Sequence, residues 1–416
     1  MSVSSSLGAF TAYGIEIEYM LVDNDSLSIV PAAHQLIGET LPDGSGEIDR
    51  GMLSWSNELV SHVIELKNQR PTTELRGLPE ALDSEVSAMN KRLQSLGARL
   101  MPTGMHPWMD PTRETSLWPQ GNREIYQAYD RIFDCRAHGW ANVQSMHINL
   151  PFADDGEFAR LHAAIRLVLP ILPAIAASSP IADGRPTGLI DYRMEVYWNN
   201  AAAIPSIAGH IIPETITCRA EYETRILAPM YRDIASRDPR GQLQFEWLNS
   251  RGAIARFDRN AIEIRVIDAQ ECPRADIAIA ALAIDLIKAL YEERLTPLRS
   301  QQSMATEELA DILLACIKEG EQAVIGHAEY LKLMGYSGAV CRAGDLWNHL
   351  ADLMHAANTS HRAIWSEPVA AILQHGPLAR RILRAAGADF SQPRLHAIYR
   401  ALCDCLEEGQ MFLDLD

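Results

Sequence analysis

Residues 13–22 read Tyr13-Gly14-Ile15-Glu16-Ile17-Glu18-Tyr19-Met20-Leu21-Val22, an apolar, strand-like run that carries two carboxylates two residues apart. Side chains alternate along a strand, so Glu16 and Glu18 share one face. Neighbouring carboxylates repel each other and lose hydration when covered, so such a face is wet, paired or metal-bound. A solvated face of an antiparallel sheet is the plainest reading. Three other segments argue for more, because each brings carboxylates, a histidine or arginines into a similar setting.

The first is residues 55–67, a second strand-like run with Glu58, His62 and Glu65. Glu58 and Glu65 are an odd number apart, so a regular strand sends them to opposite faces; a bulge or bend is needed to bring both to one site. The second is residues 141–152, where Gln144, Met146, Ile148 and Leu150 share one face and Val143, Ser145, His147 and Asn149 the other. The third is a predicted hairpin, residues 252–258 and 261–268, turning at Arg259-Asn260. Glu263 and Arg265 face the same way there, among alternating aliphatics, as Glu16 and Glu18 do.

Between these strands, the spacing of Leu78, Leu82, Val86, Met89, Leu93 and Leu96 predicts a helix within residues 73–100. A strand over residues 99–106 ends at His106, a candidate for a supporting hydrogen-bonding role. Helices are predicted at 121–133 and from 156 to about 177, the latter divided by Pro170 and Pro173. The polar loop 183–188 and its continuation supply Arg185 and Arg193. After Asp23-Asn24-Asp25-Ser26, residues 27–30 form the return arm of a hairpin, and residues 31–46 read as a looser segment. Beyond Pro273 the pattern is almost wholly helical. The division is an α+β body over 1–300 and a helical region over 301–416 packed on it, with 297–305 as the boundary.

Composition narrows the function. The 416 residues carry a formal net charge of −17, which argues against nucleic-acid backbones and anionic membranes as partners. It does not argue against a nucleotide whose phosphates are neutralised by divalent cations. The seven cysteines are odd in number and include no C-x-x-C pair, as expected of reduced thiols in a cytoplasmic protein. Residues 1–10 show neither a basic nor an apolar leader pattern. The apolar segments 165–177 and 277–291 are too short and too interrupted to span a membrane. No P-loop, dinucleotide fingerprint, zinc-helix motif or nucleophile elbow is present, so a bound ATP must be held by metals on a sheet.

The polar face collects Glu16, Glu18, Glu58, Glu65 and Glu263 with His147, Asn149, Arg193 and Arg265. Hard divalent ions take oxygen ligands, so this set suits Mg-ATP. In order, Gly14-Ile15-Glu16-Ile17-Glu18, Glu58…Glu65, Gly104-Met105-His106-Pro107, His147-Ile148-Asn149, Ala177-Ser178-Ser179-Pro180…Gly184-Arg185-Pro186-Thr187-Gly188…Tyr192-Arg193 and Glu263-Ile264-Arg265-Val266-Ile267-Asp268 resemble the motifs of glutamate–cysteine ligases, nearest the bacterial carboxylate–amine ligase branch called type 2.

The resemblance implies a glutamine-synthetase-like fold, a curved antiparallel sheet forming a funnel backed by helices, with ATP and two or three Mg²⁺ ions on its concave face, Mn²⁺ being a substitute. It implies that ATP phosphorylates the γ-carboxylate of glutamate and that an amine displaces the phosphate, cysteine being the family default and glutathione biosynthesis its setting. Glu16, Glu18, Glu58, Glu65 and Glu263 map to metal ligands. His147 and Arg265 map to phosphate and transition-state contacts, Arg185 and Asn149 to nucleotide binding, and Arg193 to a substrate carboxylate. Partners are small-molecule substrates, with a homo-oligomer admitted. Two departures stand out: Asn149 where many members have a second histidine, and Gly376-Pro377-Leu378-Ala379 where they have a Gly-Thr-Gly-Ala-like turn. A phosphotransferase of the guanidino-kinase type could use the same clamp and stop at phosphoryl transfer. A non-catalytic nucleotide-binding protein is the third reading.

Overall fold

The computed structural model describes residues 7–38 and 46–413. Its centre is an antiparallel sheet of eight strands: β1 (Gly14–Asp23), β2 (Glu47–Asp49), β3 (Leu53–Asn57), β4 (Val63–Asn68), β5 (Ala98–Met101), β6 (Ser145–Pro151), β9 (Ala253–Arg256) and β10 (Ala261–Asp268). The small hairpin β7 (Ile181–Ala182) and β8 (Arg185–Pro186) lies outside it. The order across the sheet is β2-β3-β4-β1-β6-β10-β9. Strand β5 follows β6 along one edge of β1, pairing with Met20–Asp23 where β6 pairs with Gly14–Ile17.

The opening strand is therefore the middle of the sheet, which explains its apolar content. Ile15, Ile17, Tyr19 and Leu21 are buried against the helices. The alternation predicted for β6 is observed, with Met146, Ile148 and Leu150 in the core and Ser145 and His147 on the other face.

The run 55–67 is corrected: it is a hairpin rather than one bent strand. β3 ends at Asn57, residues 58–62 make the turn, and Ser56 pairs with Glu65. The reversal brings Glu58 and Glu65 to one site despite their odd spacing. The predicted irregularity occurs instead in β10, whose register against β6 shifts between Ile264 and Ile267. That bulge lets Ile264 and Ile267 both reach the core while Glu263 and Arg265 stay on the cavity side. The arm 27–30 is reduced to a bridge between Val22 and Ile29. Of the looser segment 31–46, residues 39–45 lie outside the described residues, as do 1–6 of the N-terminal stretch.

The predicted strand 99–106 stops at Met101, and His106 sits in the buried loop that follows. The long helix predicted to 177 is Asp155–Val168, a short 3-10 turn and Pro173–Ala176, split where Pro170 and Pro173 remove backbone donors.

Helix Pro273–Tyr291 is apolar on nearly every side because it is covered on every side. It packs against the helices Leu78–Leu93, Asp155–Val168 and Arg362–His375. Leu309, Leu313, Trp347, Leu350 and Trp365, from the helices after residue 300, belong to the same continuous core. Two polar anchors reinforce it: Asp285 accepts hydrogen bonds from His361 Nδ1 (2.9 Å) and Trp365 Nε1 (2.9 Å), and buried Arg381 binds Glu271. Residues 297–305 carry a short helix, Leu298–Ser303, packed on Asp155–Val168. Among the described residues no helix is long and apolar enough to cross a membrane.

Candidate active site

The face of the sheet away from these helices floors a cavity of about 340 Å³. Glu16 and Glu18 reach it from β1, Glu58 from the turn after β3, Glu65 and Lys67 from β4, Ser145 and His147 from β6, and Glu263 and Arg265 from β10. No residue beyond Arg265 lines it among the described residues; the last helices, through Leu378, Ile382, Leu395 and Tyr399, pack on Met20, Val22 and Val63 on the same face of the sheet.

Within this group Glu16, His147 and Glu263 each present a ligand atom within 4.8 Å of the others. His147 Nδ1 lies 3.3 Å from Glu16 Oε2 and 3.7 Å from Glu263 Oε1, and its Nε2 is 2.8 Å from Ser145 Oγ. Burial opposes the imidazolium, but the hydrogen bond to Glu16 and the charges of Glu18 and Glu263 raise its pKa. Glu16 is pushed up by burial and brought below its ordinary value by His147. Glu263 is likewise burdened by burial and held down by Arg265, His147 and Arg256; Arg265 Nε donates to its Oε1 at 2.6 Å.

Glu18 and Glu58 differ. Glu18 accepts hydrogen bonds from Ser145 N (2.7 Å) and Oγ (3.2 Å), and Glu58 projects into the cavity without an ion pair among the described residues. Burial pushes both carboxyls up, aided at Glu18 by Glu65 and at Glu58 by Glu18 and Glu65. Buried Glu18 and half-buried Glu58, which make no ion pair, beside three glutamates that do, are a donor set short of positive charge. Oxygen donors crowded in this way fit a hard divalent ion such as Mg²⁺, which would supply the missing charge.

The structure relocates three candidates. Arg193 is only 1% exposed and its Nε is committed to Asp268, which is fully buried and also accepts from Ser178 and Ser179. Arg193 borders the cavity with its Nε held by Asp268, so the residue expected to receive a substrate carboxylate is also part of a buried pair. Arg185 is exposed on the β7–β8 hairpin and does not line the cavity. Asn149 opens instead onto an adjoining hollow, where its Nδ2 donates to Glu16 Oε1 at 3.2 Å. His106 is structural: Nε2 donates to Leu27 O at 2.8 Å, Nδ1 accepts from Trp108 N at 3.2 Å, and burial pushes its pKa down to about 4. Gly376–Ala379 joins two helices away from the cavity.

Sequence reasoning missed Lys67 and Arg256. Lys67 Nζ is 3.0 Å from Glu65 Oε2 and 3.4 Å from Glu47 Oε2; Arg256 bridges Glu263 (3.3 Å) and Asp258 (3.1 Å). Lys67 has the same parity as Glu65 on one strand, the signal that could have found it.

Compared with solved structures, the fold is that of a glutamate–cysteine ligase from Francisella tularensis determined in complex with AMP: TM-score 0.60 over 97% of this chain and 90% of that one, at 14% identity. Among sequences, a protein of Archaeoglobus fulgidus without a functional name is 34% identical over 327 residues, covering 77% of this chain and 88% of the relative. A Nocardioides sp. protein provisionally named glutamate–cysteine ligase 2-1 is 27% identical over 289 residues, 67% of this chain and 68% of its own. The profile of glutamate–cysteine ligase family 2 matches residues 12–401. The chain belongs to that family, and with it to the ligases that form an amide bond at the expense of ATP.

Proposed function

We propose that this protein is an ATP- and Mg²⁺-dependent carboxylate–amine ligase that activates the γ-carboxylate of glutamate and couples it to a small amine. Residues 1–300 form the catalytic body and 301–416 its helical support. The observation that carries this reading is the convergence of Glu16, Glu18, Glu58, Glu65 and Glu263 on one cavity with His147 and Arg265, in a chain of this family. The glutamates would hold Mg²⁺, or Mn²⁺ in its place, which supplies charge neutralisation at the phosphates of ATP.

The chain's own groups have distinct parts. Arg265, fixed by Glu263, faces the cavity as a guanidinium that stabilises charge on the phosphoryl group in flight. His147, whose pKa Glu16, Glu18 and Glu263 raise, is a second donor at the same floor. In the reaction a glutamate carboxylate oxygen takes the γ-phosphoryl group and ADP leaves. The amine lone pair then forms the C–N bond as the C–O bond to phosphate breaks; phosphate departs with that electron pair and the amine proton passes to phosphate or solvent. Binding of both substrates in one cavity aligns the amine with the activated carbonyl.

The phosphotransferase reading is not favoured by the family assignment. The test is phosphate release from ATP with Mg²⁺, glutamate and a panel of amines, with products weighed by mass spectrometry. Release that requires both glutamate and an amine, accompanied by an amide mass, supports the ligase. A stable phosphorylated product with no amide would overturn it.

A further inference from the structure

Lys67 lies on β4 two residues after Glu65, on the same face, among the acids assigned above to Mg²⁺. Its Nζ is 3.0 Å from Glu65 Oε2 and 3.4 Å from Glu47 Oε2. Ser56 Oγ donates to the same Glu65 oxygen at 2.5 Å. A carboxylate oxygen has two lone-pair directions, and here the hydroxyl and the ammonium take both. While Lys67 rests there, that oxygen is closed to an ion.

A lysine at this place acts on the two ligands of the site in opposite senses. Its backbone partner across β1 is Glu16, and its charge is felt at Glu16 and Glu58 as well as at Glu65. A positive charge beside these carboxylates repels a bare divalent cation. It attracts the phosphates of a nucleotide.

The surroundings of Lys67 allow it to serve both. Beside the cavity lies the hollow of about 290 Å³ onto which Asn149 opens, walled by Gly14, Ile15, Pro71, Pro151 and Ala261. Among the described residues only Glu16, Lys67 and Arg259 border both spaces, so two cations flank the passage between them. The Lys67 side chain is 25% exposed and ends a flexible four-carbon stem. Its ammonium can therefore turn from Glu65 into either space without a change in the backbone.

We infer that Lys67 couples the metal to the nucleotide: resting on Glu65 it weakens the binding of Mg²⁺ alone, and when ATP arrives its ammonium turns to the phosphates and frees Glu65 for the ion. This rests on the ligase reading above.

Calorimetry in the absence of glutamate tests it, comparing the parent with Lys67→Met, which keeps the length of the side chain and removes its charge. Titrated with Mg²⁺ alone, the variant should bind the ion about tenfold more tightly. Titrated with ATP at saturating Mg²⁺, it should bind the nucleotide about tenfold more weakly. The opposite signs are the signature, because damage to the fold weakens both. Lys67→Arg, which restores the charge, should bring both affinities back toward the parent's, and where Lys67→Met does not fold, Lys67→Gln is read in the same way. Affinities that move together, or either one unchanged, overturn the inference. Amide formation by the parent without the opposite shifts removes the coupling and leaves the ligase; opposite shifts with no amide from any amine leave the coupling and remove the ligase. A parent that binds neither Mg²⁺ nor ATP removes both.

Discussion

On strand β10, Glu263 with Arg265 and Asp268 with Arg193 join the same kinds of group five residues apart. Glu263 and Arg265 line an open cavity beside Glu18 and Glu58, which make no ion pair among the described residues and whose carboxyls burial pushes up. Asp268 is fully buried with Arg193 held against it, and the acid is further satisfied by Ser178 N (2.8 Å) and Ser179 Oγ (2.7 Å). A balanced buried pair is complete in itself and holds elements together. An acid cluster left short of charge is relieved by a bound cation or by proton uptake, so the imbalance, and not the presence of charged residues, marks the candidate site.

The comparison is open to attack from both sides. Its largest expected effect is at the sealed pair: Arg193→Ala leaves Asp268 buried and unpaired and should cost about 3–5 kcal/mol in chemical denaturation. A variant as stable as the parent would show the pair to be dispensable. At the open pair the loss should fall on rate instead. Glu263→Ala is expected to lower kcat about 10²–10³-fold, with unfolding midpoints close to the parent's; a collapse of the fold would make it another structural pair.

Metal addition sharpens the contrast next. Mg²⁺ at 100 times its Kd should stabilise the parent by about 2.7 kcal/mol, seen as a rise in Tm, and Glu58→Gln should shrink that rise. A Tm indifferent to Mg²⁺ would count against the metal floor. Acid sensitivity should come from fully buried histidines outside the cavity lining. Burial pushes His62 and His106 down to about 4, below an unfolded value of about 6.5. Each therefore contributes stability that is present above pH ~6.5 and lost as pH falls toward 4, by up to about 1.4 kcal/mol per pH unit per histidine. Replacing His106 with Gln should flatten the stability–pH curve in that window; an unchanged slope would mean that His106 takes no part in it. Smallest of all, Arg185→Ala on the exposed β7–β8 hairpin should change kcat/KM less than about twofold.

Much of the cavity-lining face was legible in the one-dimensional pattern. Alternation over residues 13–22, 141–152 and 261–268 predicts which side chains share a face, because period 2 is a property of the strand backbone alone. Glu16, Glu18, His147, Glu263 and Arg265 accordingly meet in one cavity. Alternation did not reveal that residues 55–67 double back, since a turn without glycine or proline leaves little local signature and the reversal is held by the pairing of Ser56 with Glu65 and the ladder of β4 on β1.

The sequence by itself determined the α+β class, the opening strand, and the alternating acidic and basic residues that face the cavity. Tertiary structure alone decided which of those charges are spent and which are available. Arg193 and Arg265 are the same residue type in similar polar settings of the chain, yet one is closed against Asp268 and the other faces the cavity. Neutralisation depends on distance and burial between groups far apart in sequence, 75 residues in the case of Arg193 and Asp268, and no local pattern encodes it.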